Sequence, residues 1–229
     1  MISDFKQIKE LFKEIDQELT SKINIYVIGG AVILYQGLKP ATKDIDVILP
    51  NKESYDAFLK ALTSLGFKRR KPTETYKKME INLILEKGDF RFDLFLKEVF
   101  KKISLSIEMR KRAIDILKVK HLNVFLCSNE DIFIFKSMTT RKGDLEDCIT
   151  LAKRGISWDI ILNEIQSQIK HSGEDVWITW IGERVDLLKD EGINIPILKE
   201  INELRDNYFK QIEKKFKQKT KNKKSNQRI

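Results

Sequence analysis

Three carboxylates stand where carboxylates are costly. Asp44 and Asp46 open the apolar run Asp44-Ile45-Asp46-Val47-Ile48-Leu49, and Asp93 stands inside Phe90-Arg91-Phe92-Asp93-Leu94-Phe95-Leu96. In an extended strand the side chains at i and i+2 share a face, so Asp44 and Asp46 project side by side while Ile45, Val47 and Leu49 face the other way. Two like charges at that spacing repel and raise each other's pKa. A divalent cation relieves the repulsion. Mg²⁺ (or Mn²⁺) suits such a pair, because it takes carboxylate oxygens and shares its remaining positions with substrate phosphates. Asp93 costs free energy in its apolar strand unless it is paired or metal-bound. Two readings stand for it: a third metal ligand, or a salt bridge to Arg91 or Lys97 on an edge strand.

The elements that position these acids can be read around them. Ile25-Tyr26-Val27-Ile28 is a continuous apolar, β-branched run, as in a buried strand. Gly29-Gly30 breaks it, and the chain then favours a short helix from Ala31 to Tyr35 that stops at Gly37, before Pro40. Glycines without Cβ atoms let a ligand approach the backbone, and free N–H groups at a helix start hold anions. The stretch therefore offers a phosphate cradle followed by a metal clamp.

Gly29-Gly30, thirteen residues and then Asp44-Ile45-Asp46 resemble the signature of the DNA polymerase beta-type nucleotidyltransferase superfamily. Its members carry Gly-Gly or Gly-Ser after the first strand and Asp-x-Asp at the next, and Asp93 falls where the resemblance calls for a third acid. The resemblance implies an α+β fold: a mixed-sheet, polymerase-beta-like domain followed by an all-helical C-terminal domain. It implies Asp44, Asp46 and Asp93 as catalytic metal ligands, Gly29 and Gly30 as nucleotide-binding positions, and Thr42 and Lys43 as supporting residues. The alternative reading of the same stretch is a helix start followed by two solvated acids.

A second constellation lies downstream: Lys136, Arg141, Asp144 and Asp147 within Lys136-Ser-Met-Thr-Thr-Arg-Lys-Gly-Asp-Leu-Glu-Asp147. Lys136 sits in an otherwise apolar helix, and Asp144 and Asp147 share a helix face at i, i+3. The order resembles the fourth motif of the abortive-infection toxin nucleotidyltransferases. That likeness implies Lys136 as a contact to the nucleotide phosphates, with Arg141, Asp144 and Asp147 in support. The structural alternative is a snorkelling lysine and acids favoured by a helix dipole. Many of those toxins carry Gly-Ser where this chain has Gly-Gly, which is closer to the tRNA CCA-adding and poly(A)-type enzymes. The arginine-rich nucleotide-selection motif of the latter is not evident after Asp93. The resemblance spans roughly residues 23 to 155.

The surrounding pattern completes the expectation. The periodicity predicts helices over Phe5–Leu19, Glu53–Leu65 and Lys102–Arg112, strands over Met79–Leu85 and Phe90–Leu96, and a short basic strand or loop over Phe67–Lys71. Thr73 to Lys77 reads as a turn near the site mouth, and Ile114 to Cys127 as a strand pair closing the sheet. After Ser128 every segment reads as helix. The expected domains are thus 1–127 (catalytic), 128–216 (helical) and 217–229 (a disordered basic tail). Trp158, Trp177 and Trp180 read as helical core.

Composition bounds the function. With 229 residues, 41% of them hydrophobic and 34% charged, the chain is globular. No apolar run approaches the roughly 20 residues of a membrane span, and the charged N-terminus is no signal peptide, so a cytoplasmic protein without membrane partners is expected. Two histidines exclude a multi-His centre, and Cys127 and Cys148 read as buried free thiols. From Lys210 onward eight Lys and one Arg face only Glu213, so +8 of the net +9 lies in the last twenty residues. Such a tail favours nucleic acid. The expected function is transfer of an NMP from an NTP, ATP among the candidates, to an acceptor hydroxyl. A tRNA end stands first, in keeping with the toxin resemblance, and a protein hydroxyl or small molecule stays open. The competing classes are an inactive module that binds nucleotide or RNA, and a partner in a toxin–antitoxin pair that docks a cognate protein.

Overall fold

A computed structural model describes residues 1–71, 83–172 and 175–226. The chain forms two compact units, Met1–Ile156 and Ser157–Ile229.

The first unit is built on a seven-stranded mixed sheet of order β3-β4-β5-β2-β1-β9-β8. Its strands are β1 (Ile23–Ile28), β2 (Ile45–Leu49), β3 (Lys68–Arg70), β4 (Ile84–Lys87), β5 (Phe90–Leu96), β8 (Ile114–Lys118) and β9 (Leu122–Leu126). A two-stranded ribbon, β6 (Glu98–Val99) with β7 (Ile103–Ser104), follows β5. The helices are α1 (Phe5–Glu18), α2 (Gly30–Tyr35), α3 (Lys52–Ser64), α4 (Ile107–Arg112), α5 (Asn129–Ser137) and α6 (Lys142–Arg154). The expected α+β class is what the structure has.

The alternation read from the sequence sets the two faces of the sheet. Ile45, Val47 and Leu49 are fully buried, as is Phe92 of β5. The Phe92 ring packs at 6.3 Å from Phe12 of α1, 5.7 Å from Phe58 of α3 and 5.5 Å from Phe67. This aromatic cluster is the centre of the core, and it lies under α1 and α3. Asp4 and Asn51 cap those two helices by accepting backbone N–H groups of Lys6 and Ser54. The acids emerge on the opposite face.

β5 is a central strand, flanked by β4 and β2, so Asp93 is not at an edge. The strand expected from Met79 is described only from Ile84, and the Thr73–Lys77 turn lies outside the described residues. The helix expected from Lys102 begins at Ile107 instead, because Ser106 caps it by accepting the Met109 N–H at 3.0 Å and Ile103–Ser104 pairs with β6.

The division between units falls after Ile156, not near Cys127, because α5 and α6 carry residues that line a cleft with the sheet. The second unit contains α7 (Trp158–Ser172), α8 (Trp177–Asp190) and α9 (Leu198–Asn226). Trp177 is fully buried, whereas Trp180 is exposed. The backbone of α9 runs as helix to Asn226, through most of the stretch expected as a disordered tail. No Gly or Pro interrupts it after Leu198, and lysine and glutamine are good helix formers. Among the described residues no helix is long and apolar enough to cross a membrane. Both cysteines are free and buried.

Because Phe92 joins α1, α3 and the strand that carries Asp93, Phe92→Ala should cost about 3–5 kcal/mol in urea unfolding. A loss below ~1 kcal/mol would show that the cluster is not the centre of the core.

Candidate active site

The site begins where β1 ends. Gly29 has φ +71°, a conformation side chains rarely adopt, and a Cβ built there would lie 2.1 Å from Asp46 Oδ2. The Asp46 carboxylate occupies the space a side chain at position 29 would need. Gly30 opens α2, and a Cβ there would meet Thr42 Oγ1 at 2.6 Å. Buried Thr42 bridges to Ile2 through two backbone hydrogen bonds, and its hydroxyl donates to the Asp44 carbonyl at 3.1 Å. The glycine pair therefore serves close packing of the turn against the acid-bearing strand.

The three acids converge on one cleft. β2 and β5 run parallel with Asp46 directly opposite Asp93, and Asp44 precedes β2 on the same face. Asp93 is 1% exposed, and Arg91 grips it with Nε donating to Oδ1 at 2.9 Å and Nη2 to Oδ2 at 2.7 Å. Burial pushes the Asp93 pKa up to about 6; Arg91 opposes the rise and Asp44 adds to it. Asp46 is raised well above the ordinary range by burial, then by Asp44 and Asp93, with Lys136 and Arg141 opposing. Among the described residues the Asp46 carboxylate has no hydrogen-bond donor.

Lys136 and its neighbours form the facing wall. Its buried Nζ donates to Asp144 Oδ1 at 2.8 Å and lies 2.6 Å from Asp147 Oδ2. Lys39 holds Asp147 from the other side, at 2.9 Å from each oxygen. Arg141 Nε donates to Asp144 Oδ2 at 2.6 Å, and the Thr139 hydroxyl donates to the same oxygen. Burial would raise the Asp144 pKa, but Lys136 and Arg141 outweigh it and hold the acid at about 2. The same acids outweigh burial at Lys136 and keep it cationic. Three cations against two acids leave this cluster with one net positive charge beside the acidic floor.

Of the expected residues, Gly29, Asp44, Asp46, Asp93, Lys136, Arg141 and Asp144 line one cleft. Lys43 is exposed and, like Asp147, forms no part of its wall. The two readings of Asp93 coexist: it is salt-bridged to Arg91 and it also faces the cleft. Lys39 and Thr139 escaped the sequence reading, as did an apolar wall of Phe95, Val99, Phe100 and Phe135. Only one signal pointed to part of that wall: Phe95 shares the Asp93 face by strand alternation.

The profile of a family described as a nucleotidyltransferase of unknown function (DUF6036) matches residues 3–184. The chain belongs to this family. The match spans every residue of the cleft. No curated protein matches the chain. Among solved structures it is similar to a crystal structure of ANT(2″)-Ia in complex with adenylyl-2″-tobramycin, at 13% identity over 72% of this chain and 97% of that one, TM-score 0.47. A solution structure of the antibiotic-resistance factor ANT(2″)-Ia is also similar, at 13% identity over 72% and 88% of the chains, TM-score 0.44.

Divalent metals are general to nucleotidyltransferases, and the residues of this family member fit one in part. Asp46 presents undonated oxygens beside a backbone that no Cβ shields, and hard oxygen donors suit Mg²⁺ or Mn²⁺. Both Asp93 oxygens are engaged by Arg91, and among the described residues no three His, Cys, Asp or Glu side chains make a metal centre by themselves. The fit rests on Asp44 and Asp46.

Two outcomes follow. Gly29→Ala should destabilise more than Gly30→Ala, by at least ~1–2 kcal/mol from the positive φ alone, as read by urea unfolding; equal costs would contradict the packing of Asp46 against residue 29. Acids with raised native pKa values bind protons more tightly folded than unfolded, so they lower stability as pH rises through the interval between the two values. For Asp93 that interval runs from 3.8 to about 6. In metal-free buffer Asp46→Asn should therefore melt above the parent at about pH 7.5 and lose that advantage toward about pH 4.

Proposed function

We propose that this protein transfers a nucleoside monophosphate from an NTP to an acceptor hydroxyl within the cleft of Asp44, Asp46 and Asp93. The supporting observation is the undonated Asp46 carboxylate, packed against Gly29 and placed in register with Asp93. Asp44 and Asp46 would hold a divalent ion, Mg²⁺ or Mn²⁺, which would supply positive charge at the reacting phosphate.

The chain's own groups supply the rest. Gly29, packed against Asp46, lines the same cleft, so a triphosphate held there meets the turn that follows β1. Arg141 is half-exposed in the cleft, while Lys136 is already shared between two acids, so Arg141 is the better direct phosphate contact. Lys136 then positions it through Asp144. The acceptor oxygen attacks the α-phosphorus, the bond to the β-phosphate oxygen breaks, and pyrophosphate leaves. Asp93, with a pKa raised by burial, takes the hydroxyl proton on a carboxylate oxygen. Arg91 orients that carboxylate.

RNA is the acceptor class favoured here. The likeness of the Lys136–Asp147 cluster to the fourth motif of the abortive-infection toxins supports it, and α9 carries the lysines from Lys210 onward that would neutralise phosphates.

Purified protein with each α-³²P-labelled NTP, Mg²⁺ or Mn²⁺, and total RNA should label an RNA band on a denaturing gel. Asp44→Asn and Asp46→Asn should each lower labelling by at least ~10²-fold without loss of helical circular dichroism. Unchanged labelling in both variants would overturn the assignment, and label on protein would move the acceptor to a side-chain hydroxyl.

A further inference from the structure

The apolar wall of the cleft is carried by a strained turn. Between β6 and β7 the chain reverses over Val99-Phe100-Lys101-Lys102, closed by the Lys102 N–H donating to the Val99 carbonyl at 3.1 Å. Phe100 and Lys101 both have positive φ, 54° and 53°. Two left-handed residues in succession are the pattern that type I′ turns show, where the central positions favour Asn-Gly. Here a phenylalanine and a lysine occupy them. Lys97, entering the ribbon, is left-handed as well, at φ 65°. Bulky residues held there are genuine outliers, and such strain gathers at ligand clamps.

The strain has a visible product. Phe100 is half-buried in the cleft wall and meets Phe95 edge to face, with ring centroids 6.3 Å apart. Phe95 lies on the same face of β5 as Asp93, roughly 7 Å further along the strand. It sits opposite Ile48, whereas Gly29 follows Ile28, which is paired with Asp46 on the other side of β2. The glycine turn and the Phe95–Phe100 pair therefore flank the acids from opposite sides. A substrate with phosphates at Gly29 and its reacting phosphorus at Asp46 has its remaining end against Phe100. That wall holds aromatic and aliphatic carbon, which suits a planar ring and not a charged group.

We propose that Phe100, presented by this left-handed turn, is the stacking platform for a nucleobase of the substrate. The inference rests on the nucleotidyl-transfer reading of the same cleft. The base comes from the donor NTP or from the terminal nucleotide of an RNA acceptor, and both present the same planar face.

Calorimetric titration separates these cases, with the four NTPs, inorganic tripolyphosphate and a short single-stranded RNA as probes. The parent should bind at least one NTP more tightly than tripolyphosphate. Phe100→Ala should weaken that NTP roughly five- to hundredfold and leave tripolyphosphate unchanged, while Phe100→Trp keeps the affinity. Since alanine could disturb the ribbon, the double variant Phe100→Asn/Lys101→Gly supplies the residues the turn prefers. It should melt above the parent and still lose the base-dependent affinity. Weakened RNA with unchanged NTP assigns the platform to the acceptor base. Unchanged NTP and RNA affinities in the double variant, or equal loss for tripolyphosphate, overturn the proposal. A parent that binds neither NTP nor tripolyphosphate fails the transfer reading itself, which the Asp46→Asn labelling comparison judges separately.

Discussion

Crowding of negative charge at one point of the sheet is the constraint to which the rest of the first unit responds. Asp46 and Asp93 face each other on adjacent parallel strands, and Asp44 stands one step away on the same face. Burial and mutual repulsion raise the pKa of both strand-borne acids. Arg91 clamps one of them. The other packs against the Gly29 backbone and, among the described residues, accepts no hydrogen bond, with the positive wall across the cleft. An arrangement that leaves one acid undonated while satisfying its neighbour is costly, and a cation bound there would relieve it.

The positive wall follows the same logic. A lysine buried to the extent of Lys136 would ordinarily lose its proton. Asp144 and Asp147 prevent that, and Lys39 and Arg141 complete the alternation of charge. The cluster is nearly neutral as a whole, so it survives burial, yet it keeps one positive charge in excess.

The aromatic wall adds a third requirement. The β6–β7 ribbon accepts two left-handed non-glycine residues in its turn to put Phe100 on the cleft. The local strain and the isolated acid are both features a chain selected for stability alone would discard. They lie in one cleft, which argues that the cleft and not the fold is what they serve.

Much of this was legible in the chain itself. Strand alternation placed Asp44 with Asp46, and Asp93 with Phe95, because a period of two is a property of the backbone. The Gly29-Gly30 break marked the end of β1 because glycine alone tolerates that turn. Lys136 stood out as a charge in an otherwise apolar helix, and Asp144 and Asp147 as a pair on one helix face. What tertiary structure decided was partnership. The register that sets Asp46 opposite Asp93 joins residues far apart in sequence, and Lys39 reaches Asp147 across an even longer separation. Neither leaves a periodic trace. The unit boundary after Ile156 was hidden likewise, since a helix does not show in its own sequence which sheet it will cover. The strain at Phe100 was hidden as well, because a Phe-Lys pair carries no signal of a left-handed turn until the strands on either side have paired.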